Sequence, residues 1–194
     1  ILCPVTPINS YSCNYAVKST KIYSEFTKGH LRIEGNRVVA TQCKDNCSSL
    51  SENLYIVTID RHYFLLYHVK SGKFICWNNK FKKLIARRNP TNLTYCKFEE
   101  KPSKTFKNYA TRYTTNYNNT EKEIIFNRTG FFATSKYINK CMKRHRSISK
   151  CVSPDFLQSG PNECNSQLPE FCAKMKIRKD NGHNITPELM DLCK

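Results

Sequence analysis

Lys73-Phe-Ile-Cys-Trp-Asn-Asn-Lys-Phe-Lys-Lys-Leu-Ile-Ala86 is the stretch that decides the fold. Four apolar residues, Phe74 to Trp77, run into a polar turn, and Leu84-Ile-Ala86 runs out of it. Runs this short, with a turn between them, read as a β-hairpin and not as a helix. The same shape stands upstream in His30-Leu-Arg-Ile-Glu-Gly-Asn-Arg-Val-Val-Ala40 and downstream in Glu123-Ile-Ile-Phe-Asn-Arg-Thr-Gly-Phe-Phe-Ala133. The closing alanines fall at 40, 86 and 133, spaced 46 and 47 apart. A single hairpin cannot bury its apolar face, so a fixed period implies units that share a core. Three such units suggest a β-trefoil, a six-stranded barrel capped by three hairpins. Chance similarity among Val/Ile/Phe-rich strands is the plainer alternative. A β-sandwich would also show many short strands, but no threefold period.

The flanking sequence agrees with an all-β body. Leu54-Tyr-Ile-Val-Thr-Ile59 and Tyr63-Phe-Leu-Leu-Tyr67 are strand-like runs. Residues 20–157 are expected to form the trefoil, with 1–19 and 158–194 as Cys-bearing extensions tethered by disulfides. Thr186-Pro187-Glu188 ahead of Leu189-Met190 reads as an N-cap, a first-turn proline and a short helix. The chain has 194 residues, 39% of them hydrophobic, with 11 Phe and 11 Tyr, enough to bury a core and to exclude disorder throughout. No apolar run approaches the length of a membrane span. It opens at Ile1 without a charged-then-apolar leader, so a processed chain is expected.

Eleven cysteines, at 3, 13, 43, 47, 76, 96, 141, 151, 164, 172 and 193, are many for a cytosolic protein. An odd number leaves at least one thiol free or paired between chains. Asn-x-Ser/Thr sequons at Asn46, Asn92, Asn118, Asn127 and Asn184 are candidate glycan acceptors. With the basic balance, these features favour a secreted, extracellular protein.

Catalytic and metal patterns are weak. His30, His62, His68, His145 and His183 are scattered, and neither a Gly-x-Ser-x-Gly nor a His-Glu-x-x-His occurs. Glu99 and Glu100 are adjacent, which on a strand sends them to opposite faces. Cys43 and Cys47 have a metal-compatible spacing without a matching second pair, so a disulfide is the better reading. No enzyme, metal or resident cofactor is expected.

Charge is the stronger signal. The chain carries 32 Lys+Arg against 15 Asp+Glu, a formal net charge of +17. Between Glu123 and Asp155 no acid occurs, and Arg128, Lys136, Lys140, Lys143, Arg144, Arg146 and Lys150 do. A second acid-free stretch, Arg61 to Phe98, holds Lys80, Lys82, Lys83, Arg87 and Arg88 among its bases. A solvated basic face is the bland reading. Outside cells the abundant polyanion is sulfated glycosaminoglycan, with nucleic acid as the competitor, and Arg and Lys pair with sulfate as they do with phosphate. The 136–150 bases are expected in a loop beside Arg128 and Thr129.

These residues carry a resemblance. Lys82-Lys-Leu-Ile-Ala-Arg-Arg-Asn-Pro-Thr-Asn-Leu-Thr-Tyr-Cys96-Lys-Phe-Glu-Glu100 is similar to the signature of the fibroblast growth factors: Gly-x-Leu-x-Ser/Ala, a spacer, then acid-Cys-x-Phe-x-Glu and a downstream Tyr. Cys96, Phe98 and Glu100 match in register; Lys82 replaces the Gly, Tyr95 the acid, and the spacer is longer than the family's by one residue. Lys21-Ile-Tyr-Ser24 resembles the family's first strand, and Ile124-Ile-Phe-Asn-Arg-Thr-Gly130 the start of its heparin-binding segment. Gly72–Ala86 is very similar to the paracrine, embryonic-patterning subfamily, whose members join two cysteines at the positions of Cys76 and Cys96. The resemblance covers about 20–157. It implies a growth factor that activates a receptor tyrosine kinase, with heparan sulfate as co-ligand and neither nucleic acid nor membrane insertion. Tyr23, Glu100, Phe106 and Tyr109 match receptor contacts, and Arg128, Thr129 and Lys136 match heparan contacts. Lys140, Lys143, Arg144, Arg146 and Lys150 follow by neighbourhood, in a loop about eight residues longer than the family's, which Cys141 and Cys151 would staple. A glycan on Asn127 would obstruct sulfate there. A trefoil protease inhibitor or lectin, or a basic secreted nuclease, is the alternative.

Overall fold

The computed structural model of the chain describes residues 16–42, 49–103, 110–159 and 166–194. Thirteen strands are described: β1 (Val17–Ser24), β2 (Gly29–Glu34), β3 (Arg37–Thr41), β4 (Leu54–Thr58), β5 (Phe64–His68), β6 (Lys73–Trp77), β7 (Leu84–Arg87), β8 (Glu99–Pro102), β9 (Thr111–Tyr117), β10 (Thr120–Glu123), β11 (Phe126–Asn127), β12 (Val152–Ser153) and β13 (Leu157–Ser159). Three helices accompany them: α1 (Ser135–His145), α2 (Leu168–Asp180) and α3 (Pro187–Asp191). The fold is a β-trefoil.

The barrel closes strand by strand. β1 pairs with β4, and β4 with β5, antiparallel throughout. Phe64 and Phe98 exchange backbone hydrogen bonds at 3.0 and 2.9 Å, joining β5 to the start of β8. β8 pairs with β9, and Thr111 and Phe156 exchange bonds at 2.8 and 2.9 Å. β13 then returns to β1, Lys21 facing Ser159. Six strands therefore form a ring with no free edge, which removes an aggregation hazard.

Three hairpins cap the ring and touch one another. β2–β3 is the first, β6–β7 the second, and β11 with Phe131 and Phe132 the third. The Ala40 N–H donates to the Gly130 carbonyl at 2.8 Å, joining the first to the third. Gly130 has φ +79, and a Cβ there would meet the Ala40 carbonyl oxygen at 2.6 Å. Only glycine fits that approach. Trp77 meets Phe132 edge-on, centroids 5.4 Å apart, joining the second hairpin to the third. Ala40 of the repeat is buried at this junction, Ala86 packs against the same core, and Ala133 is buried in the cluster beneath α1. Small residues let the hairpins converge.

Inside lie Ile22, Leu31, Leu54, Ile56, Leu66, Ile75, Phe98, Tyr113 and Phe126. Trp77 is fully buried, and its indole N–H donates to Thr115 Oγ1 at 3.0 Å, whose own hydroxyl donates to the Lys97 carbonyl. That satisfies the indole N–H inside the core.

Strand alternation sends Tyr55, Val57, Leu65, Tyr67 and Phe74 outward, yet they too are buried. They form a second cluster with Phe171 and Met175 of α2 and Leu189 of α3. Cys172 and Cys193 join α2 to the chain end (S–S 2.01 Å). Arg178 fixes α2 in place: it sits over the Tyr67 ring at 5.5 Å and donates to the Arg88 carbonyl at 3.1 Å and to the Gly72 carbonyl. Gly72 has φ +62, and a Cβ there would strike the Arg178 guanidinium at 2.5 Å.

Two local expectations need correction or completion. The bases of 136–150 do not stand in a loop: α1 covers most of them. The helix that opens at Thr186 is α3, and a longer helix, α2, precedes it within the Cys-bearing extension.

Candidate functional site

α1 forms because Thr134 accepts the Tyr137 N–H and Arg146 ends it in the left-handed conformation, φ 52. Tyr137, Ile138, Cys141 and Met142 pack inward with Ala133 and Val152. That apolar stripe has the 3.6-residue period of a helix. Cys141 and Cys151 are joined (S–S 2.07 Å), clamping α1 to the turn before β12.

The opposite face is basic. Lys140 stands four residues after Lys136, and Lys143 and Arg144 stand three and four after Lys140; all are exposed. Over its eight helical steps this stripe runs about 12 Å. Arg146 and Lys150, just beyond, are exposed as well. Lys143 and Arg144 suit the negative end of the helix dipole. Lys136, in the first turn, opposes the positive end, and Lys136–Lys140 and Lys140–Arg144 are like-charge pairs, each unfavourable by roughly 0.2–0.5 kcal/mol. Stability alone does not select such a face.

Arg128 and Thr129 lie exposed in the tight turn that follows β11. Asn127 organises that turn: its Oδ1 accepts the N–H of Thr129 at 3.0 Å, the Thr129 hydroxyl at 2.7 Å and the N–H of Phe131 at 3.1 Å. The Arg128 guanidinium stands 5.7 Å over the Phe26 ring. Phe26, Lys28, Ile138 of α1 and Ile148 line one cleft of about 760 Å³, which puts Arg128 on the flank of α1. Lys28, exposed with φ 58 at the β1–β2 turn, is a base on this flank that the sequence left unmarked. Its only signal is its place before Gly29.

Tyr23 is half-buried on β1, paired with His30 and Leu157, its ring 5.1 Å from the His30 ring. It stands outside the core, which leaves a face available. Glu100 on β8 is exposed opposite Tyr113 and makes no ion pair among the described residues. Its neighbours Glu99 and Lys101 pair at 3.7 Å. Phe106 and Tyr109 lie outside the described residues.

Cys76 and Cys96 are joined (S–S 2.09 Å) within the outer cluster. Cys3, Cys13, Cys43, Cys47 and Cys164 lie outside the described residues. Of the sequons, Asn92 caps a short turn by accepting the Thr94 N–H at 2.8 Å, Asn118 sits exposed in the β9–β10 turn, and Asn184 is exposed between α2 and α3. Asn46 lies outside the described residues.

His68, at the end of β5, is buried. Its Nε2–H donates to the Ser51 carbonyl at 2.9 Å, and Nδ1 receives the Ser71 hydroxyl at 2.8 Å. Desolvation holds its pKa below the usual value, so the ring is neutral. Among the described residues, no group of three His, Cys, Asp or Glu could hold a metal ion. No described helix is long and apolar enough to cross a membrane.

The family model described as Fibroblast growth factor matches residues 18–146, about two thirds of the chain. No curated protein matches it. The match begins in β1, spans all three converging hairpins and ends just past α1, so the chain belongs to the fibroblast growth factor family.

Proposed function

We infer that the protein is a secreted growth factor that binds and activates a receptor tyrosine kinase of the fibroblast-growth-factor-receptor type, with heparan sulfate as co-ligand. The body of about 20–157 carries the activity, and 1–19 and 158–194 are extensions. Family membership supplies the signalling role. The observation that carries the heparan reading is the exposed base stripe of α1, Lys136, Lys140, Lys143 and Arg144, continued by Arg146 and Lys150. Its self-repulsion is relieved by a bound polyanion, and Arg128 and Thr129 extend it along the turn after β11. The Cys76–Cys96 bond supports assignment to the paracrine, embryonic-patterning subfamily.

No catalytic step is required: the protein acts by bringing receptor chains together. A sulfated chain laid along α1 neutralises the bases and presents its far side to the receptor. Each exposed contact contributes about 0.2–1 kcal/mol, so affinity comes from their number and falls steeply with salt. Tyr23 and Glu100, with Phe106 and Tyr109, form the receptor face. Tyr23 offers an aromatic plate on a rigid strand, and Glu100 offers an exposed carboxylate to a receptor arginine.

The test is receptor-ectodomain affinity by surface plasmon resonance for Tyr23→Ala and Glu100→Ala. A loss of about 2 kcal/mol in each, with the thermal midpoint unchanged, is expected of interface hot spots. Wild-type affinity in both would refute the assignment of these residues. A trefoil inhibitor or lectin would bind no receptor kinase, and a nuclease would cleave RNA.

A further inference from the structure

Beyond α1, on the side away from Phe26, lies a second cleft, of about 1100 Å³. The turn between β6 and β7 supplies Lys80, Lys82 and Lys83, β10 supplies Lys122, and the first turn of α1 supplies Lys136. Five ammonium groups from three separate elements thus face one space. Among the described residues none of the five is in an ion pair. The two acids on the same wall are committed elsewhere: Glu121 to Lys101, and Glu123 to the buried Arg112. The cleft is therefore electropositive.

Aromatic residues complete it. Phe81 is buried at the turn, and Tyr117 stacks on it with centroids 3.9 Å apart and planes 15° apart. Tyr117 is 36% exposed, so its other side is open to the cleft. Phe81 has φ 48, a left-handed conformation that a bulky side chain adopts only at a cost. What that conformation achieves is visible: one ring turns inward under Tyr117 while Lys80, Lys82 and Lys83 remain exposed around it.

We propose that this cleft is a second binding site for sulfated polysaccharide, entered through Lys136 from the α1 stripe. The inference rests on the heparan reading of α1 and extends it. Lysines supply point charges for sulfate and carboxylate, while the open face of Tyr117 offers an apolar plate for the C–H face of a pyranose ring. The combination selects a sulfated sugar over an anion without rings. Because Lys136 belongs to both surfaces, one chain long enough to pass it engages both.

The experiment is binding of heparin hexasaccharide and dodecasaccharide at physiological salt to the full chain and to three variants: K80Q/K82Q/K83Q, K140Q/K143Q/R144Q and Tyr117→Ala. Thermal melts verify that each is folded. Dodecasaccharide affinity is expected to fall on the order of tenfold in K80Q/K82Q/K83Q, with a smaller loss for the hexasaccharide. Tyr117→Ala is expected to lower heparin affinity while leaving inorganic polyphosphate binding unchanged. If K80Q/K82Q/K83Q binds both oligosaccharides like the wild type while K140Q/K143Q/R144Q is weakened, the second site is refuted and the α1 reading stands. If the wild type fails to bind heparin at all, the heparan reading itself falls. Equal loss of heparin and polyphosphate in Tyr117→Ala would overturn the sugar specificity.

Discussion

Two helical additions ride on this trefoil, each closed by its own disulfide, and they do opposite things. α1, clamped by Cys141–Cys151, buries a narrow stripe and turns its bases to solvent. α2 and α3, closed by Cys172–Cys193, bury Phe171, Met175 and Leu189 against the outward faces of β4, β5 and β6. The first displays charge; the second covers apolar surface. Even their arginines differ. Arg144 stands exposed on α1, whereas Arg178 is half-buried, with carbonyls of two strand connections as acceptors. Burial lowers its pKa, yet it has ample donors to satisfy. The lesson is that basic residues mark a binding surface only where the fold leaves them unsatisfied.

The contrast breaks most visibly at Phe171. Phe171→Ala removes a fully buried ring that meets Tyr67 and Phe74 edge-on. It should cost about 3–5 kcal/mol, read by urea unfolding, and should expose α2 amides to hydrogen exchange. Heparin-column elution should not move, because α1 lies on another cluster. A heparin shift equal to that of an α1 variant would erase the distinction between the two additions.

Next in size is C172S/C193S. Opening this loop should cost roughly 3 kcal/mol in the loop-entropy model, again with heparin elution retained. A smaller loss would mean that packing and Arg178 suffice to hold the cover.

Acid offers a gentler probe. The folded pKa of His68 is depressed below its usual 6.5, so the unfolded chain binds the proton more readily. Stability is therefore full above about pH 6.5 and falls as the pH drops below it, by at most about 1.4 kcal/mol per unit from one such group. His68→Gln should flatten this slope between pH 5 and 7. Heparin retention should hold until the barrel unfolds. A slope unchanged in His68→Gln would move the acid sensitivity to another residue.

The smallest stability effect belongs to α1. K140Q/K143Q/R144Q should change stability by no more than about 0.5 kcal/mol, because the side chains are exposed, while heparin elution shifts to lower salt. A fall of several kcal/mol would make these bases structural.

Much of the barrel was legible in the sequence because the constraint repeats. Ala40, Ala86 and Ala133 keep a period because each closes one of three equivalent hairpins, Ala40 and Ala86 against the shared core and Ala133 beneath α1. The helices obey no repeat. α1 still left a signal, Tyr137, Ile138, Cys141 and Met142 at helical spacing behind the Thr134 cap, but the lysines between them read as a charged loop. The cover over β4–β6 was also written in Leu54–Val57 and Phe64–Tyr67. Their unbroken apolar runs, in place of alternation, mean strands buried on both faces. What covers them could not be read there, since α2 lies more than a hundred residues downstream. Of the site, the bases were legible as charge; their sorting into stripe, cleft and buried anchor was not, because that depends on which elements meet.

The central claim is that the exposed bases of α1 couple a sulfated chain to receptor engagement. Its most direct test is the association of the full chain with a receptor-tyrosine-kinase ectodomain of the fibroblast-growth-factor type, by surface plasmon resonance, with and without heparan sulfate dodecasaccharide. The wild type should associate more tightly when the dodecasaccharide is present, and K140Q/K143Q/R144Q should lose most of that gain while keeping its melting temperature. No association under either condition, or an affinity indifferent to the sugar, would contradict the account.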